Sequence, residues 1–384
     1  MSTSSFFIPG SESGGIGSMF VRKYSPERST GAAPVVLVHG GGGEGTDWTT
    51  TLDGRPGWAP RLADAGHPVY VVDRPAHGRS PYDASMGPLA PMAPSEFLAP
   101  MFFPPPLGPG AHPTAHRHTQ WPWGREPGDP AFDRFISTKH PMPADSVGQQ
   151  LREKAALAEL LRQVGPAVLI AHSNGGPGAW LAADATPENV LAFVAAETLG
   201  PPFLHAPELG ISLEYGLTSA PLTFDPPVEN PDELNPVIVD EGPPGPLDLL
   251  LPEPRRALPN LARFPIAVLT AEASVFRLWD QLLVAFLAAA GCQPELVRLE
   301  DHGVHGNAHG FMQEANSDEG ALASRWDAHT AGCRPCRGQS IRKLYGMKAD
   351  RVASVSRFVE PRVSRTARVE FGKVMAARPS TSVG

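Results

Sequence analysis

Ala171-His172-Ser173-Asn174-Gly175-Gly176 sets a serine between small residues two positions before it and two after it. A serine at the tip of a very tight strand-to-helix turn needs such flanks, because a larger side chain there would clash. The residues Ala167-Val-Leu-Ile-Ala-His172 are apolar throughout, as a buried strand requires, and Gly-Gly-Pro-Gly opens a helical pattern just beyond the serine. Such a turn lifts the Ser173 hydroxyl above a sheet and aims the first amides of the helix at a developing oxyanion. Alanine at 171 stands where the G-x-S-x-G pattern has glycine, and it is small enough for the turn. The plain alternative is a serine that caps a helix.

A serine nucleophile needs a base, and the base needs an orienting acid. The segment Asp301-His302-Gly-Val-His305-Gly-Asn-Ala-His309-Gly-Phe-Met, after the last strand pattern, offers three imidazoles. His309 is favoured over His305 and His302, because it stands just before a helical pattern at 318–328, where a loop can turn back over the sheet. Two strand patterns end in glutamate, at Glu197 and at Glu272, and spacing alone does not separate them as the acid. For the oxyanion, the Asn174 amide follows the nucleophile, and His39-Gly40-Gly41-Gly42-Gly43 supplies a second unobstructed amide, with Gly41 favoured. Gly40, Gly42 and Gly45 also fit G-x-G-x-x-G, and Asp73 ends the next strand pattern as a ribose-binding acid would. That dinucleotide-dependent oxidoreductase reading ranks far below, since a dinucleotide fingerprint opens its helix directly and residues 46–57 intervene here.

These groups need a frame. Val35–His39, Pro68–Asp73, Ala167–His172, Leu191–Ala196, Ile266–Ala271 and Glu295–Leu299 read as short strands, mostly apolar on both faces, and helical patterns lie at 57–66, 146–163, 175–185, 275–290 and 318–328. The helix at 146–163 carries Val147, Leu151, Ala155, Ala158, Leu160 and Leu161 as its apolar face, with Asp145 as N-cap. Alternation of this kind means an α/β chain with a mainly parallel sheet and helices on both faces, preceded by a β-hairpin of residues 4–8 and 18–24. In such sheets ligands bind beyond the carboxyl ends of the strands. Windows 81–145 and 201–260 hold 15 and 14 of the 44 prolines and leave from those ends, so both read as lids.

Composition narrows the classes. A length of 384 residues with 41% hydrophobic content allows a substantial core. Residues 333–384 carry 12 Lys and Arg against 3 Asp and Glu, leaving 20 against 37 for residues 1–332, so an acidic body precedes a basic tail. An acidic body repels phosphate backbones and argues against nucleic acid as the ligand. Cys292, Cys333 and Cys336 cannot make a disulfide framework, and Cys333-Arg-Pro-Cys336 lacks the second pair that zinc needs. His112, His116 and His118 lack a companion carboxylate at ligand spacing and read as polar loop residues. Trp48, Trp58, Trp121, Trp123 and Phe203 are equally candidates for a pocket lining or for packing. The first residues lack a basic, then apolar, leader pattern, and no run is long enough to span a membrane; a cytoplasmic location is expected.

Together, His39-Gly-Gly-Gly-Gly, Asp53-Gly-Arg-Pro-Gly-Trp58, Val72-Asp-Arg-Pro-Ala-His-Gly-Arg-Ser80, His118-Thr-Gln-Trp-Pro122, Ala171-His-Ser-Asn-Gly-Gly176, Glu197, Pro221-Leu-Thr-Phe-Asp-Pro-Pro227 and His305-Gly-Asn-Ala-His309 resemble a family of α/β-hydrolase serine esterases of bacteria and fungi, over about residues 4–328. The resemblance implies an α/β-hydrolase domain over 1–332, with lid segments 81–145 and 201–260. It further implies a Ser173-His309-Glu197 triad, in which the acid follows the strand after the elbow helix, so that Glu197 is taken over Glu272. Gly310-Phe311 departs from relatives that tend to be methionine-rich there. The resemblance ends at Cys333, and 333–384 reads as a basic extension of weak periodicity. The expected reaction is hydrolysis of a carboxylic ester or lactone, which needs no metal or organic cofactor; a catalytically inactive binder of small ligands is the alternative. A homodimer is compatible with the sequence.

Overall fold

The computed structural model describes residues 1–11, 13–91, 101–104, 112–207, 210–240, 247–250, 254–320 and 369–370. The cysteine pair at 333 and 336, nearly all of the basic extension, and the helical pattern beyond 320 lie outside the described residues.

Among those residues, eight strands form the main sheet: β1 (Ser2–Ile8), β2 (Met19–Ser25), β3 (Val35–Val38), β4 (Val69–Asp73), β5 (Ala167–Ser173), β6 (Val190–Thr198), β7 (Ile266–Thr270) and β8 (Pro294–Arg298). Their order is β1-β2-β4-β3-β5-β6-β7-β8. β1 and β2 form the expected antiparallel hairpin, β2 runs antiparallel to β4, and every later pairing is parallel. Among the described residues, the α-helices of seven or more residues are α1 (Trp58–Asp64), α2 (Pro130–Ser137), α3 (Ser146–Val164), α4 (Gly176–Ala185) and α5 (Asp280–Ala289). No helix among the described residues is long and apolar enough to cross a membrane.

The apolar runs are apolar because each strand feeds two cores. Val36, Val38, Leu169 and Ala171 enter the core under α3, α4 and α5, while Val35, Leu37, Val168 and Ile170 enter the one shared with α1, Phe311 and Met312. On the first side the Trp180 ring stacks on Phe193 at 3.7 Å between centroids, and burying each such aromatic stabilises by about 2–3 kcal/mol.

Two elements differ from expectation. α3 is capped by Asp145, whose side chain accepts from the Gly148 amide, but Val147 and Leu151 are 43% and 45% exposed. The first half of the helix instead buries Gln149, Gln150 and Glu153, because those side chains meet polar partners within the fold. Gln150 donates to Ser219, Gln149 to the Pro75 carbonyl, and Glu153 accepts from Arg74. The pattern at 275–290 is not one helix: Ser274 caps a 3-10 turn at Val275–Leu278, and α5 begins after Trp279, whose φ of −132° breaks the run. Window 81–145 contains α2, capped by Asp129 with Pro130 in its first turn. In window 201–260, Phe203 packs on Phe286 and Thr223 bonds to Asp184.

Candidate active site

Ser173 ends β5 with φ of +51°, a left-handed backbone that a non-glycine residue adopts at a cost of about 1–3 kcal/mol. The surroundings hold it there. The Leu199 amide donates to the Ser173 carbonyl at 2.8 Å, and the Gly175 amide donates to the His172 carbonyl at 2.9 Å. A Cβ at Gly175 would lie 2.2 Å from the His39 carbonyl oxygen, and one at Gly176 would lie 2.6 Å from Thr198 Cβ. The turn therefore accepts nothing larger than glycine at these two positions.

His309 is fully buried, and its Nδ1 lies 2.7 Å from Glu197 Oε2. Its Nε2 is buried with no hydrogen-bond partner, so the bond to Ser173 Oγ is not closed in this structure. Such contacts are commonly loose before substrate binds. The ring is flanked by Phe276, stacked at 4.1 Å, and by His172 at 4.3 Å, with Phe102 at 5.1 Å. His172 also donates its Nε2 proton to the His309 carbonyl at 2.9 Å, and Met101 O accepts from the His309 amide. Burial pushes His309 down to about 3, which keeps the imidazole neutral and able to accept a proton.

Glu197, at the end of β6, has φ of +48° and is fully buried. Its oxygens accept from the Ala271 amide and the Ser274 hydroxyl, each at 2.8 Å. Burial raises its carboxyl to about 8, against the lowering pull of those two donors, and the nearby Glu314 raises it further. Glu272 sits elsewhere, accepting from His305 Nδ1 at 3.2 Å, the Gly306 amide at 3.0 Å and Arg117 at 3.4 Å. The structure thus forms two histidine–glutamate pairs from the four residues: a buried one of His309 and Glu197, and a rim pair of His305 and Glu272. His302 closes the 3-10 turn Leu299–His302.

Gly41 and Asn174 face each other closely, since a Cβ on Gly41 would lie 3.1 Å from Asn174 Cβ and 3.2 Å from Met142 Sδ. Asp73, the acid of the dinucleotide reading, is unavailable to a ribose. It is buried and takes the Gly45 amide together with the Arg79 amide and guanidinium, at 2.7–2.9 Å. His118 does find a carboxylate, contrary to its sequence spacing: Nε2 lies 3.1 Å from the buried Glu314, which also accepts from Asn307 and the Ala308 amide. Trp48 and Trp58 pack on each other in the core. Trp121 joins Phe103 and Phe135 in a satellite cluster, against which Trp123 also packs. Phe311 lies buried against Trp58 and His172 in the core. Sequence reasoning missed Phe102, Phe276, Ser274, Glu314 and Met142; loop residues at single positions leave no periodic signal.

A left-handed serine turn between a parallel strand and a helix, with a buried carboxylate at the end of the next strand and a buried histidine from a later loop beside it, is the arrangement of an α/β hydrolase. The chain belongs to the alpha/beta hydrolase fold family, whose model matches residues 33–225. It is 33% identical over 304 residues to a protein named "Probable secreted lipase phiG" from Fungal sp. (strain ATCC 74256), across 78% of this chain and 83% of that one. A solved structure described as a novel bacterial esterase superposes with a TM-score of 0.56 at 24% identity, covering 83% of this chain and 92% of that one. The relatives are thus named as lipase and esterase.

Proposed function

We propose that the protein is a serine hydrolase of carboxylic esters or lactones that works through an acyl-enzyme with a Ser173-His309-Glu197 triad. The observation that carries this reading is the polarity of His309: one ring nitrogen is held at 2.7 Å by a buried carboxylate, and the other is buried and without a partner beside the serine turn. His309 Nε2 takes the Ser173 proton as Oγ attacks the substrate carbonyl, and Glu197 stabilises the imidazolium that forms. The amides of Gly41 and Asn174 receive the negative charge on the carbonyl oxygen. His309 returns its proton to the leaving alcohol, and a water activated by the same imidazole then releases the acid and frees Ser173. The naming of relatives as lipase and esterase supports ester substrates.

A fluorophosphonate probe tests the reading directly. Covalent labelling at Ser173 in the folded parent chain, absent in Ser173→Ala, is the expected result. A folded chain that stays unlabelled is a binder of small ligands and not a hydrolase. Ser173→Ala should also lower turnover of a chromogenic short-chain ester by about 10³-fold or more.

A further inference from the structure

We propose that Arg74, neutralised by Glu153, is a positioning residue that sets the Gly41 amide of the oxyanion site and ties its loop to the Asn174 turn; this rests on the hydrolase reading above. Arg74 follows β4 and is buried, as is Glu153 on α3. Its four terminal guanidinium hydrogens have four acceptors. Nη1 donates to Glu153 Oε1 at 2.6 Å and to the Asn174 carbonyl at 3.1 Å, while Nη2 donates to the Gly40 carbonyl at 2.8 Å and to His77 Nε2 at 3.0 Å.

Two of those acceptors are backbone carbonyls of the two loops that form the candidate oxyanion site. In a trans peptide the carbonyl and the following amide point in opposite directions. Drawing the Gly40 carbonyl back to Arg74 therefore turns the Gly41 N–H forward, away from the guanidinium. His39 assists: its Nε2 accepts from the Arg74 amide at 3.0 Å, which leaves the Nδ1 proton to donate to the same Gly40 carbonyl at 2.8 Å. Burial, then the Arg74 charge, lowers the His39 and His77 pKa values well below the ordinary range, so both rings stay neutral acceptors. On the serine side, Arg74 holds the peptide plane that follows Asn174, and the Leu199 amide holds the plane that carries the Asn174 N–H. One planar fork thus ties the two loops together. The charge of Arg74 is balanced by Glu153, so its contribution is orientation rather than added positive charge. This is also the physical reason that α3 buries a polar face.

Lysine cannot replace this fork, because its three donors radiate from a single nitrogen. Arg74→Lys should lower kcat by about 10²-fold with KM within about threefold, the scale seen when one oxyanion donor is lost. Its affinity for a trifluoromethyl ketone, which forms the tetrahedral adduct, should fall by the same factor as kcat/KM. Arg74→Met/Glu153→Leu supplies the control for folding, since replacing a buried ion pair by apolar side chains is often neutral for stability. That double variant should melt near the parent temperature and remain slow by about 10²-fold. A folded variant of either kind with kcat within threefold of the parent, or one with lost activity but parental ketone affinity, overturns the proposal. Absence of fluorophosphonate labelling in the parent chain would instead remove the hydrolase reading on which it rests.

Discussion

Glu197→Gln is the perturbation that separates the two glutamates. The carboxylate collects three donors, from Ala271 N, Ser274 Oγ and His309 Nδ1, at 2.7–2.8 Å. Glutamine keeps the shape but puts an amide N–H where one acceptor oxygen stood. Turned toward His309, that N–H makes Nδ1 an acceptor and moves the ring proton to Nε2, the atom that must receive the serine proton. The cost should be about 10²–10⁴-fold in kcat, or about 3–5 kcal/mol of barrier, with little change in KM. Glu272→Gln disturbs only the rim contacts to His305, Gly306 and Arg117, and should stay within about tenfold. The pH profile adds a sign. In the proposed mechanism the working base is neutral His309 beside ionised Glu197; with Glu197 raised to about 8 and His309 lowered to about 3, the two groups carry one extra proton between those values. kcat/KM should therefore rise with pH as that proton leaves, on the alkaline side of the ordinary histidine value of about 6.5. In Glu197→Gln that carboxyl no longer titrates, and with His309 held low by burial the rise should move to the acid side of the same value. Chromogenic ester hydrolysis from pH 5 to 10 reads both effects. A Glu197→Gln profile that keeps the parental limb, or a kcat within tenfold of the parent, refutes the role assigned to Glu197.

The same carboxyl gives a stability prediction: the unfolded chain releases its proton from about 4.5 upward while the folded chain holds it to about 8, so the group withdraws stability as pH rises between those values. The melting temperature of Glu197→Gln minus that of the parent should grow from pH 5 to pH 8, and calorimetry at the two pH values checks it. His118→Ala removes one partner of the buried Glu314 and should cost about 1–3 kcal/mol in urea unfolding; an unchanged midpoint would mean that the contact at 3.1 Å contributes nothing.

What the sequence made legible follows from how each residue meets its partners. The strands were readable because a strand buried on both faces must be apolar at successive positions, and Val35–Val38 and Ala167–Ser173 are so along nearly their whole length. α3 misled for the complementary reason. Periodicity assigns polar residues to solvent, and it cannot know that Gln149, Gln150 and Glu153 have acceptors and donors waiting at Pro75, Ser219 and Arg74. Ser173 announced itself through local sterics, since the glycines after it are required by contacts within a few residues of the turn and with the neighbouring strand ends. The proposed acid did not, because Glu197 and Glu272 both end strand patterns and differ only in which loop passes over them. The resemblance chose between them, and the two histidine distances, 2.7 Å for the buried pair and 3.2 Å for the rim pair, now separate their surroundings.

The position of Glu197 has a geometric reason. β6 lies between β5, which carries Ser173, and β7, which ends at Thr270 just before the Ala271 amide. The register of β5 on β6 slips at His172/Ser173, so that Ser173 pairs with Thr198, and Glu197 takes a left-handed φ immediately before that point. The slip turns the carboxylate from the ladder toward β7, where the Ala271 amide and the Ser274 hydroxyl fix it and His309 completes the set. Glu272 follows Ala271 beyond the end of β7 and is drawn outward by Arg117 and the Gly306 amide. Ser173 and Glu197 therefore share one device, a strained residue at the end of adjacent strands, each held by neighbouring backbone. The strain of about 1–3 kcal/mol at each is sustained by contacts that also aim the side chains, so relaxing either turn should cost alignment before it costs the fold.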